Sequence, residues 1–268
     1  MKLPKNNLNY PVKILIGNSS GSGFIIKHKT SIFLVSAKHV IYQPGQILGD
    51  HVLRDNTMLL ICHMFSESTI SQQTPPLQTY EIDLVKLSYN NNLKPHDTAD
   101  IFTLKIGDIT IDGSTISYVE GVVVKRSIKN GKLINYDMAG SKKFTDVEIT
   151  NDVYILGYPV SLSSSSLNQI DYDVPLARKG IVAGKNYKNR TIILDCPVYG
   201  GNSGGLVLEM NEVDAINTDI HLIGVVVQFV PFLDQWSSVR FPELFNTSYQ
   251  NSGYSIVIPV DFIYDLIL

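Results

Sequence analysis

Helical periodicity occurs in one place in this chain, at its far end, where Phe262, Ile263, Leu266 and Ile267 fall on one face. Before that come short apolar runs bounded by turn residues. They include Val12 to Ile16, Ile32 to Ser36, Val153 to Gly157, Leu176 to Gly184, Thr191 to Asp195, Leu222 to Val230 and Tyr254 to Ile258. Strand-length, β-branched runs without alternating helices predict an all-β fold, a sandwich or barrel. Such folds often reach 268 residues as one unit. Gly21 to Ile26 followed by Ile32 to Ser36 reads as a hairpin, and Thr79 to Leu87 alternates like a further strand. The sequence divides into a first half over about 10–106 and a second over 151–258. Residues 107–150 read as a connection with an inserted hairpin, 161–166 as a serine-rich surface loop and 231–252 as a long loop. Pro259 suits the first turn of a terminal helix over 259–268.

Charge narrows the function. A net charge of −3, with one small basic cluster around Lys125 and Arg126, argues against binding nucleic acid by neutralising phosphates. No apolar run approaches the ~18 residues of a membrane span. The start of the chain shows no apolar leader segment. Two cysteines, Cys62 and Cys196, fit buried thiols in a reducing compartment, so the expected location is cytoplasmic. Their number and spacing indicate no metal site, and no cofactor is expected.

The chemistry concentrates in Tyr199-Gly200-Gly201-Asn202-Ser203-Gly204-Gly205, which feeds the apolar run Leu206 to Leu208. Glycines on both sides let the backbone turn sharply and leave the serine hydroxyl exposed. The N–H groups of Gly201 and Ser203 can then converge as an oxyanion hole beside a nucleophile. The plainer alternative is a glycine-rich hairpin with an incidental serine. Serine needs a base, and histidine is the side chain suited to take and return its proton. His39 closes the strand ending at Ser36, and Asp100 opens one in which Phe102, Leu104 and Ile106 share a face. An acid behind the histidine fixes its tautomer. Asp97 is a rival, but the apolar alternation starts directly after Asp100. The order His, Asp, Ser also decides against the G-x-S-x-G elbow of α/β-hydrolases, where acid and histidine follow the serine.

Gly21-Ser22-Gly23-Phe24, Val35-Ser36-Ala37-Lys38-His39, Asp100 to Lys105 and Gly200 to Gly205 resemble the trypsin-like serine proteases. Tyr154 to Pro159 and Arg178 to Val182 add a likeness to the bacterial HtrA-like branch, here expected without a PDZ module. The resemblance implies a chymotrypsin-like fold of two packed antiparallel β-barrels. It implies a serine endopeptidase with His39, Asp100 and Ser203 as its triad. Gly201 and Ser203 would form the oxyanion hole. The strand Val225 to Phe229 would pair with the substrate backbone. Val227, Gln228 and Phe229 would flank the specificity pocket, with Pro197 at its base. That pocket would favour a small or medium apolar residue. Asn202 stands where an aspartate serves zymogen activation, so no N-terminal cleavage would be needed. Lys38 is tolerable beside the histidine if its head reaches water. The implied partners are a protein or peptide substrate and a regulatory protein. The competing reading is a catalytically silent binding module on the same fold.

Overall fold

The computed structural model describes residues 5–45, 51–63, 76–110, 115–127, 133–159, 170–212, 218–237, 240, 243 and 245–268. The serine-rich segment 161–166 lies outside them. The first body holds β1 (Pro11–Ile16), β2 (Ser19–His28), β3 (Ser31–Ser36), a single helical turn α1 (Lys38–Ile41), β4 (Tyr42–Pro44), β5 (His51–Leu53), β6 (Thr57–His63) and β7 (Leu77–Asp83). Then follow α2 (Leu84–Tyr89), β8 (Leu93–Pro95), β9 (Phe102–Ile109), β10 (Ile116–Tyr118), β11 (Val122–Arg126) and β12 (Tyr136–Asp137). Its main sheet runs β10-β9-β3-β2-β1-β6-β7-β11, with β8 added to β9 and β12 to β2. The sheet curls around Val12, Ile14, Phe24, Leu34, Leu60 and Tyr80, all buried. Alternation in β1 sends Val12, Ile14 and Ile16 inward. In β2, Gly21 to Ile26 are buried without a break, because β13 and the Met138–Gly140 turn cover its other side.

The second body is a closed barrel of β13 (Asp152–Gly157), β14 (Leu176–Asn186), β15 (Thr191–Asp195), β18 (Phe245–Pro259), β17 (Thr218–Ser237) and β16 (Leu206–Glu212), in that order around the ring. Val153, Ile155, Val182, Leu194, Val207, Ile223 and Val257 fill it. Closure removes sheet edges that would otherwise expose unpaired backbone groups. Helix α3 (Asp261–Ile267) leaves this barrel and packs against β9 of the first body, with Ile263 buried. The all-β, two-body architecture matches the expectation from the sequence.

Three local readings differ. The alternation over Thr79 to Leu87 stops at Asp83, whose side chain accepts the Lys86 N–H at 2.9 Å and caps α2. Leu84 and Leu87, three apart, then share the buried face of that helix. The expected loop over 231–252 is largely ladder, since β17 and β18 pair from Pro231↔Asn251 out to Ser237↔Phe245. Within 107–150, β10 pairs with β9, β11 with β7 and β12 with β2, so all three add to the first sheet.

Candidate active site

His39 sits in α1, directly after buried β3. The turn forms because the Ala37 carbonyl accepts the Val40 N–H at 3.1 Å. Arg54 holds it from outside, donating from Nε and Nη2 to the His39 carbonyl at 3.2 and 3.1 Å. Asp100 lies in the loop between β8 and β9, and His96 organises that loop. Its Nδ1 accepts the N–H groups of Thr98 and Ala99 at 3.2 and 3.0 Å, and its own N–H donates to Ile101 at 2.9 Å.

The two elements meet at the carboxylate. His39 Nδ1 lies 2.6 Å from Asp100 Oδ2, and the His39 backbone N–H donates to Oδ1 at 3.1 Å. Gripped at ring and backbone, the imidazole is held in one orientation with Nδ1–H toward the acid. Burial pushes the Asp100 carboxyl up. The His39 ring and amide, with the Lys38 ammonium behind them, outweigh burial and hold it below the usual aspartate value. Lys38 departs from expectation. Its side chain is buried rather than hydrated, and its ammonium donates to the His96 carbonyl at 2.6 Å. A backbone oxygen in the acid's own loop replaces water there. Asp97 lines the same surface depression as His39 and Asp100 but makes no hydrogen bond or ion pair to His39 among the described residues.

The backbone groups around Ser203 can be followed one by one. The Gly201 carbonyl accepts from Ser22 Oγ at 2.6 Å, and the Ser203 carbonyl from the Ser22 N–H at 3.0 Å. Asn202 N–H donates to Tyr199 at 3.0 Å, Gly204 N–H to Val226 at 2.8 Å, and Gly205 N–H to Asn202 at 2.8 Å. Among the described residues, the N–H groups of Gly201 and Ser203 donate to nothing. Gly201 and Gly204 adopt φ of +94° and +87°, which a side chain would oppose. Tyr199 and Gly200 N–H likewise have no acceptor among the described residues, so the uncommitted donors of this loop include both Gly201 and Ser203.

No hydrogen bond joins His39 to Ser203 among the described residues. The Ser203 hydroxyl donates instead to the Val227 carbonyl at 3.3 Å. The β17–β18 register shifts between Val226 and Gln228, which frees Val227 to meet the serine. Beyond Val226, β17 has a strand neighbour only on its β18 side among the described residues, because the β16 ladder ends at Val225. Gln228 and Phe229 are exposed on that stretch. Pro197 is half-buried between two tethers, Cys196 N–H to Gly253 at 3.0 Å and Asn251 Nδ2 to the Val198 carbonyl at 2.5 Å. The structure therefore joins His39 with Asp100, and Ser203 with Val227, while among the described residues no hydrogen bond ties Pro197 to either pair.

Cys62 and Cys196 are free and buried, and burial raises the Cys196 thiol to about 11. Among the described residues no three potential ligands cluster as a metal site. Reading the sequence alone missed Ser22, Arg54 and His96 as supports of this region. Gly21-Ser22-Gly23 was visible as a motif, but Ser22's partners in the second body lie 136 residues away or more and no local pattern announces them.

No protein-family model matches the chain, and no curated protein matches it. Among solved structures, the HtrA-type protease AlgW with a tripeptide aligns at TM-score 0.49 and 14% identity, over 97% of this chain and 59% of that one. Rv3671c from M. tuberculosis H37Rv, a serine-to-alanine mutant in an inactive form, aligns at 0.43 and 12% identity, over 98% and 89%. Deg5 aligns at 0.40 and 14% identity, over 97% and 88%. The chain thus spans less than two thirds of the length of the AlgW structure.

Proposed function

We propose that this protein is a serine endopeptidase. Ser203 attacks the peptide carbonyl. His39 takes the serine proton and returns it to the leaving amine. Asp100 keeps the imidazole oriented and stabilises its protonated form, and water then releases the acyl group by the same route. The N–H groups of Gly201 and Ser203 receive the negative charge that develops on the carbonyl oxygen. The observation that carries this reading is that the N–H groups of Gly201 and Ser203, in the serine's own loop, have no acceptor among the described residues, while those of Asn202, Gly204 and Gly205 are bonded. The one-sided edge of β17 supports substrate pairing as an added strand through Val227, Gln228 and Phe229. Pro197 at the pocket base and a small or medium apolar residue before the scissile bond complete the substrate reading.

The unit is a single peptidase spanning both bodies, and it acts in the cytoplasm without N-terminal processing. No described helix is long and apolar enough to cross a membrane. A second reading, a silent or latent binding module, is favoured by one contact, the Ser203 hydroxyl resting on Val227 rather than His39. Catalytic hydrogen bonds are often loose before substrate arrives, so turnover requires that hydroxyl to swing to the imidazole. A fluorophosphonate probe separates the two. Labelling of the purified, unprocessed chain, abolished in Ser203→Ala, is the expected result. Absence of labelling in the wild type would favour the silent module. Labelling that appears only after adding a host extract would indicate a regulatory protein partner.

A further inference from the structure

Ser22 belongs to the first body, yet every strong bond it makes with the second body meets the Ser203 loop or the end of β13. Its side chain is fully buried. Its hydroxyl donates to the Gly201 carbonyl at 2.6 Å and accepts the Tyr158 N–H at 2.7 Å. Its N–H donates to the Ser203 carbonyl at 3.0 Å. Its own carbonyl accepts from Ser36 Oγ at 2.6 Å, which fixes the clamp to β3 just before His39. A methyl at Gly157 would lie 2.7 Å from Ser22 Oγ, so the hydroxyl sits in a fitted recess.

These bonds act on peptide planes. The Gly201–Asn202 plane is held through its carbonyl by Ser22 Oγ. The Ser203–Gly204 plane is held through its carbonyl by Ser22 N–H. Between them lies the Asn202–Ser203 peptide, whose carbonyl is taken by Gly205 and whose N–H has no acceptor among the described residues. With both neighbours fixed, that N–H has one direction in which to point. Without the hydroxyl, the Gly201 carbonyl loses the only partner it has among the described residues, and a glycine backbone can rotate to find another.

We infer that Ser22, from the first body, is a positioning residue that holds the peptides on either side of the Ser203 N–H, one of the two oxyanion-hole donors. This rests on the peptidase reading for its kinetic consequence, but not for its structural one. Removing an oxyanion donor outright costs about 10²–10³ in kcat. Loosening the donors without deleting them should cost less, on the order of 10–100-fold.

The test compares the full-length wild type with Ser22→Ala in two measurements. In the first, Ser22→Ala should lower kcat by about 10–100-fold with KM nearly unchanged, and weaken a peptide-aldehyde inhibitor, which binds as a tetrahedral adduct, by a similar factor. In the second, amide hydrogen exchange over 199–205 should quicken in Ser22→Ala while the β13–β16 ladder stays protected. Ser22→Cys, close in size, is the alternative if the alanine variant does not fold. A rise in KM alone, or exchange over 199–205 that stays unchanged, would overturn the role. An inactive wild type would instead sink the peptidase reading, and the exchange measurement would still decide on Ser22.

Discussion

Replacing Gly204 by alanine tests how tightly the two bodies interlock at the serine loop. Gly204 has φ of +87°, a conformation that costs a side-chain-bearing residue about 1–2 kcal/mol. The added methyl would also collide with the Ser22 carbonyl oxygen and Ser36 Oγ, and lie 3.1 Å from the Ala37 amide nitrogen. Two of those three atoms are backbone of the first body and cannot rotate away. Overpacking of this kind costs about 1–3 kcal/mol. Together the effects give about 2–5 kcal/mol, a large share of the 5–15 kcal/mol by which a folded protein typically exceeds its unfolded state. Gly184 is the control, because a methyl there meets nothing within 4 Å. Urea unfolding should be followed for both alanine variants in a Ser203→Ala background, which prevents self-cleavage. With a slope near 2–3 kcal/mol per M, Gly204→Ala should unfold about 1–2 M earlier than Gly184→Ala. Equal midpoints would show that the serine loop does not press against the first body as described.

Other expectations follow from the same contacts. Asp100→Asn should lower turnover by about 10⁴ with the fold intact, while Asp97→Asn stays near wild type; the reverse pattern would reassign the acid. His63 is buried on β6 and its Nδ1 lies 3.0 Å from the Tyr158 hydroxyl of the second body. Burial lowers its pKa, against the opposing pull of Asp173 and Asp171 and with help from Lys13. A histidine depressed in the folded state contributes stability that is complete above its ordinary value of about 6.5 and is lost as pH falls through its folded pKa. Urea midpoints should therefore drop below that pH in the wild type and drop less in His63→Gln; parallel profiles would remove His63 from the account. A peptide-library profile should show small or medium apolar residues before the cleaved bond, and cleavage only after lysine or arginine would overturn that preference.

The strand pattern was legible because β-branched runs and turn residues act locally. Val12 to Ile16 and Val153 to Gly157 needed no distant information. The sequence also pointed to His39, Asp100 and Ser203 through their places at strand ends, and the structure puts the first two in contact. What stayed hidden depended on long-range pairing. Pro231 to Ser237 reads as loop until Phe245 to Asn251 lies beside it and takes its hydrogen bonds. Leu84 to Tyr89 carries a strand-like alternation that the Asp83 cap and a buried Leu84–Leu87 face override. Lys38 was misplaced for a related reason. Charge favours water, but a carbonyl from residue 96 was folded into its reach.

His39 and Asp100 ride on the first body, and Ser203 stands on the second, clasped by Ser22. In order of synthesis, Ser22, His39 and Asp100 leave the ribosome first. Ser203 follows about a hundred residues later, a delay of roughly 5–20 s at ordinary elongation rates. Until then Ser22 has no serine loop to hold. The serine loop, once made, bonds to Ser22 of the first body through the Gly201 and Ser203 carbonyls. On the proposed peptidase reading, a growing chain carries its histidine and acid but no nucleophile until the second body is made.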